Sequence, residues 1–223
     1  MSSSGSTSSG QHADAFAASF REQFAELVRL RRDVRHFRPD PVPEAILQEA
    51  LTLAHLAPSV GFSQPWRFVL VEDAARRAAV AASFERANAA ALAATAEEDR
   101  ALYARLKLQA LREAPVQMAV FCDEETNTGR KLGARTMPET RAYSTVCAIH
   151  TLWLALRAHG VGMGWVSILE PEEVARICEV PAGWRFIAWL CIGWPREAHT
   201  YTPELERAGW EKRRPLAELC RKL

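Results

Sequence analysis

A chain of 223 residues, 48 % of them hydrophobic, builds one domain or one compact subunit with a sizeable core. Its 28 Lys and Arg balance 27 Asp and Glu, which excludes a global field drawing it to nucleic acid or to an anionic membrane. No apolar run approaches the roughly 20 residues that span a bilayer. The five cysteines are scattered without a Cys-x-x-Cys pair, which argues against a zinc site and for a reduced, cytoplasmic setting.

Residues 1–13 are Ser/Gly-rich with no apolar signal-peptide core and read as a disordered tail ahead of one domain, 14–223. From Asp14 the apolar residues Phe16, Phe20, Phe24, Leu27, Val28 and Leu30 recur at helical spacing. That helix delivers the chain to Arg31-Arg32-Asp33-Val34-Arg35-His36-Phe37. A guanidinium is a planar fork of donors matched to phosphate oxygens, so three arginines within five residues suit a dianionic phosphate. The alternative is a solvated helix end whose arginines pair weakly with Asp33 and Asp40. Asp33, a carboxylate among cations, is the candidate for chemistry.

Arg38-Pro39-Asp40-Pro41-Val42-Pro43 is an extended connector, because proline removes donors. Pro43 then suits the first turn of a helix over 44–56. Ala57 to Trp66 reads as a rigid loop of small and polar residues, either plain turn chemistry or a close backbone approach to a flat ligand with Ser59 and Gln64 as donors. The apolar run Arg67 to Val71 reads as a buried strand. The Ala-rich stretch 73–113 predicts one or two helices, followed by a strand from Val116 to Cys122.

Residues 123–142 are polar and aperiodic, and a loop of that length is read as a lid or a surface excursion. Ser144 to His159 is apolar nearly all round, as expected of a helix buried in a core or an oligomer interface, with His150 a core histidine. Gly160-Val161-Gly162-Met163-Gly164 follows; a strand over 165–168 carries Ser167. These glycines end a helix and lack the context of a dinucleotide fingerprint. A short helix over 171–180, a strand over 184–193 and a second basic cluster, Lys212-Arg213-Arg214, close the chain. The pattern implies an α+β sandwich that dimerises.

Taken in order, these motifs become specific. Arg31-Arg32-Asp33-Val34-Arg35 after the first helix resembles the phosphate motif of the flavin-dependent nitroreductase superfamily. Ala57-Pro58-Ser59 with Gln64-Pro65-Trp66, about 25 residues on, is similar to that superfamily's second flavin loop. The apolar helix, the Gly-x-Gly turn and Lys212-Arg213-Arg214-Pro215-Leu216 extend the resemblance over about residues 20–220. Within the superfamily the chain looks most like the branch that makes 5,6-dimethylbenzimidazole by destroying flavin. Asp33 stands where ordinary nitroreductases usually carry Ser; the other matching segments are Ala57 to Phe62, Thr136-Met137-Pro138-Glu139, and Ser167 after Gly162-Met163-Gly164-Trp165-Val166.

The resemblance implies a homodimeric nitroreductase-like sandwich with a mixed, mainly antiparallel sheet flanked by helices. It implies reduced FMN as substrate and O2 as co-substrate, with no metal. The products would be 5,6-dimethylbenzimidazole, the lower ligand of cobalamin, and erythrose 4-phosphate, with a separate flavin reductase supplying reduced FMN. It assigns flavin contacts to Arg31, Arg32, Asp33, Val34, Arg35, Ser59, Val60, Gly61, Leu108, Ser167 and Arg213, and catalysis to Asp33 and Ser167. The flanking arginines are expected to keep Asp33 ionised unless burial offsets them. The rivals on the same fold are an NAD(P)H-dependent FMN nitroreductase, whose flavin stays bound and shuttles hydride, and a non-enzymatic flavin-binding dimer.

Overall fold

The structure, a computed structural model, describes residues 15–105, 110–197 and 201–222. The expected tail, residues 1–13, and Leu108 lie outside the described residues. Four strands form one antiparallel sheet: β1 (Trp66–Leu70), β2 (Val116–Asp123), β3 (Gly162–Val166) and β4 (Trp184–Gly193), in the order β1-β2-β4-β3. The apolar runs of β2 and β4 place them at the centre, where both faces are covered.

The helices are α1 (Ala18–Leu30), α2 (Glu44–His55), α3 (Ala74–Ala94), α4 (Glu97–Arg105) and α5 (Ala110–Glu113), then α6 (Thr140–Ala158), α7 (Pro171–Cys178) and α8 (Glu204–Arg207). One face of the sheet packs Phe121 and Trp189 against Val80 and Phe84 of α3 and Val174 of α7. The other packs Met118, Val120 and Leu190 against Leu47 of α2 and Ile149, Leu152 and Leu156 of α6. Gly160, at φ +78°, ends α6. The Gly160 N–H donates to Arg157 O and the Val161 N–H to Leu156 O, which turns the chain directly into β3.

Two expectations need correction: His150 as a core histidine, and a mixed sheet. The core covers α6 only in part: Tyr143, Val146, Cys147 and His150 form one exposed stripe at helical spacing. His150 is therefore not a core histidine. The apolar stripe of α1 is likewise open, with Phe16, Phe20, Phe24 and Val28 exposed and no residue of the helix buried. Periodicity marks an apolar face, and in both helices nothing among the described residues covers it. Lastly, the sheet's four strands pair only antiparallel; the parallel contact is an isolated bridge between Asp33 and Met163, on the outer edge of β3.

Candidate active site

That bridge builds the site. After α1 the chain straightens and runs along β3, where the Val34 N–H donates to the Met163 carbonyl at 3.1 Å. The approach is close enough that a Cβ on Gly164 would sit 2.3 Å from the Val34 carbonyl oxygen. The glycines after α6 thus end a helix and also clear a path for the arginine motif. In return the Asp33 side chain reaches the strand edge, where its Oδ1 accepts the Trp165 N–H at 2.9 Å.

The arginines around Asp33 turn to different partners. The Arg31 guanidinium lies 4.5 Å over the ring of Trp153, on α6, whose own indole N–H donates to the Arg32 carbonyl. Arg32 donates to the carbonyls of Arg31 and Tyr201. Only Arg35 binds Asp33, with its Nε 3.4 Å from Oδ2. Glu204 of α8 stands 3.7 Å from the same Nε.

Two buried guanidinium nitrogens, Arg32 Nε and Arg35 Nη1, have no hydrogen-bond partner among the described residues. Arg213, from the closing basic cluster, adds a third repelling charge near Arg31 and Arg32. Burial, more than this repulsion, holds the Arg31 and Arg32 guanidinia below their ordinary values. Crowded cations with unmet buried donors are the chemistry of an anion seat.

At Asp33 burial offsets the arginines, the alternative the sequence left open. Its carboxyl is held above the ordinary carboxylate range, chiefly by burial, which outweighs the Trp165 hydrogen bond and the Arg35 charge that favour ionisation. The side chain keeps 37 % of its surface open. That solvated face moderates the burial penalty without reversing it, so Asp33 remains a group that can gain or lose a proton. The open face belongs to a recess also lined by Arg32, Arg35, His36, Thr202, Glu204 and Arg207.

The second loop is built separately. The Val60 N–H donates to Ser144 Oγ on α6 at 3.0 Å, and the Gln64 N–H to Ser59 Oγ at 3.1 Å. Gln64 turns its own amide donor back to the Phe62 carbonyl. Gly61, at φ +55°, backs onto the segment expected as a lid: a Cβ there would lie 2.7 Å from the Leu132 carbonyl oxygen. The 128–132 turn and the second loop therefore form one packed unit.

Among the sequence candidates, the structure gathers Arg31, Arg32, Asp33, Arg35 and Arg213 into one cluster. The Val34 N–H is taken by Met163. Ser167 is exposed, one residue beyond β3 and two beyond the Trp165 that holds Asp33. Ser59, Val60 and Gly61 do not line the Asp33 recess. Their anchor on α6, Ser144, stands nine residues from Trp153, or about 13 Å along the helix axis. Sequence reasoning missed Trp153, Glu204 and the backbone of Trp165, none of which carries a local motif.

The family model described as the nitroreductase family matches residues 28–194. A 5,6-dimethylbenzimidazole synthase of Rhodospirillum rubrum is 60 % identical over 200 residues, covering 90 % of this chain and 94 % of its own. One of Rhodobacter capsulatus is 48 % identical, covering 90 % and 96 %. Among solved structures, oxidised iodotyrosine deiodinase bound to FMN and 3-iodo-L-tyrosine superposes with a TM-score of 0.68 at 25 % identity, covering 81 % of this chain and 94 % of that one.

Proposed function

The chain belongs to the nitroreductase family, and from that premise we propose that it fragments reduced FMN with O2 to 5,6-dimethylbenzimidazole, the lower ligand of cobalamin, and erythrose 4-phosphate. The observation that carries this reading is Asp33: a carboxyl fixed by a strand-edge N–H and held above its ordinary value by burial, inside an arginine cluster with unmet donors. Ordinary nitroreductase chemistry, hydride transfer through a retained flavin, does not call for a carboxyl beside the phosphate seat.

The residues fit the ligand. Arg31, Arg32 and Arg35, joined by Arg213, hold the monophosphate, and the unmet Arg32 Nε and Arg35 Nη1 are donors available to its oxygens. Reduced FMN supplies both the electrons that oxygen takes and the carbon skeleton of the product. Asp33 holds or moves a proton at its carboxyl near the sugar chain, while Trp165 fixes its direction. The Ser167 hydroxyl, at the end of the same strand, orients the flavin or relays a proton. The backbone of Ser59, Val60 and Gly61 meets the ring or the ribityl chain; an elongated ligand suits two separated groups of contacts. The 128–132 turn, packed on that loop, excludes water.

The open apolar stripes of α1 and α6 support a homodimer in which a second copy covers Phe16, Phe20, Phe24, Tyr143 and Val146. A separate flavin reductase supplies the reduced substrate. The test is to load the protein anaerobically with chemically reduced FMN, admit air, and follow small molecules by chromatography and mass. Dimethylbenzimidazole is expected to appear as flavin disappears. Full recovery of oxidised FMN, with steady nicotinamide turnover, would establish the nitroreductase reading instead.

A further inference from the structure

Arg35 stands between two carboxylates. Its side chain is 90 % buried, and its Nε faces Asp33 Oδ2 at 3.4 Å and Glu204 Oε2 at 3.7 Å. Glu204 comes from α8, far along the chain, and lines the same recess as Asp33. The segment bearing it is strapped over the motif: the Tyr201 hydroxyl donates to Glu26 of α1, and the Tyr201 carbonyl accepts from Arg32. This strap brings an acid to the phosphate seat, where anion binding alone would disfavour one.

We propose that Glu204 is a positioning residue for Asp33, acting by dividing the Arg35 guanidinium between two carboxylates. An Arg35 given wholly to Asp33 would form a closed ion pair, fixing the carboxyl in its charged state and turning it from the ribityl chain. Shared with Glu204, the guanidinium keeps only its Nε toward the two acids and leaves Nη1 unpaired for a phosphate oxygen. The other groups near Asp33 are the Arg31 charge on its own segment, the Trp165 N–H on β3 and the neutral Cys191 thiol on β4, with Arg32, His36 and Arg207 lining the same recess. Of the groups facing it, Glu204 is the acid, and its charge opposes ionisation of Asp33.

The inference rests on reading this cluster as the flavin-phosphate seat, but its test needs no flavin. Asp33 is titrated in the ligand-free full-length protein by carboxyl carbon NMR, in wild type and in Glu204→Gln. Asp33→Asn identifies the resonance. Gln retains an acceptor for Arg35 and so keeps the strap in place, which matching melting curves verify. The two carboxylates share one Nε, so losing the Glu204 charge is expected to shift the Asp33 midpoint downward. Glu204→Asp should restore it in part. An unchanged or raised midpoint overturns the proposal and reduces Glu204 to an anchor for the strap. A lowered midpoint in a protein that makes no dimethylbenzimidazole would keep this inference and overturn the function instead.

Discussion

Replacing Asp33 by Asn and by Ala separates what the carboxyl holds from what it does. Asn keeps an oxygen able to accept the Trp165 N–H, bonded at 2.9 Å in the wild type, and nearly the same volume. Ala leaves that N–H without an acceptor at a partly buried strand edge, which costs about 1–3 kcal/mol. Both variants lose the charge. Because burial holds Asp33 above its ordinary value, the native state binds its proton more tightly than the unfolded chain does. At neutral pH the ionised group therefore lowers stability, and removing it is favourable in both variants. Asp33→Asn should then be at least as stable as wild type without flavin, and Asp33→Ala less stable than Asp33→Asn by about 1–3 kcal/mol, or roughly 2–10 °C in Tm for a chain of this size. Urea unfolding at one protein concentration measures the difference. In the air-exposure assay Asp33→Asn should still bind reduced FMN and make no dimethylbenzimidazole. Equal stability of the two variants would show that the Trp165 bond holds nothing. Normal product from Asp33→Asn would remove Asp33 from the chemistry.

The same raised value sets a pH dependence: the flavin-free protein should lose stability as pH rises from near 4, the ordinary carboxylate value, through that of Asp33. Urea midpoints over pH should show that slope in wild type and lack it in Asp33→Asn. Arg35→Ala should weaken FMN more than riboflavin by calorimetry, because only FMN carries the phosphate; equal losses would break the phosphate assignment. Gly164→Ala places a methyl 2.3 Å from the Val34 carbonyl and should cost about 1–3 kcal/mol while weakening FMN, since the motif must shift off β3; an unchanged urea midpoint and FMN affinity would refute that packing. Phe20→Glu, on the open stripe of α1, should convert a sedimenting dimer to monomer; an unchanged dimer would place the interface elsewhere.

The central strands were legible because a doubly covered strand must be continuously apolar, as β2 and β4 are. The arginine motif was legible because its residues are contiguous. His150 on α6 was misread as a core residue for a physical reason: an apolar helix reports that it is covered but not whether its own chain or a second copy covers each face. For Asp33 the sequence left open whether burial offsets the arginines, and packing decides it. Adjacent arginines look like partners in sequence, yet Arg31 turns to Trp153 and Arg32 to two carbonyls, so one cation of three is left to oppose burial. Glu204 and Trp153 could not be found locally, because tertiary packing alone brings them to the motif.

Under the proposed function the strand-edge placement accounts for an aspartate at a phosphate seat. A carboxylate next to a phosphate is ordinarily unfavourable: it repels the ligand and occupies the arginines meant for it. Here the strand N–H of Trp165 takes one carboxyl oxygen, and a single guanidinium, shared with Glu204, meets the other. Arg31 and Arg32 are not drawn into pairing with it. On that reading the segment that would grip the phosphate is also the segment that aims Asp33, because Arg32 and Val34 flank it on one extended stretch bonded to β3. Seating the phosphate would then fix the carboxyl relative to the sugar chain attached to that phosphate. A flavin without its phosphate would lose affinity and also the alignment of its ribityl carbons with Asp33. Riboflavin, even at saturating concentration, should for that reason be fragmented far more slowly than FMN, and comparable saturated rates for the two would show that the phosphate seat binds without aligning.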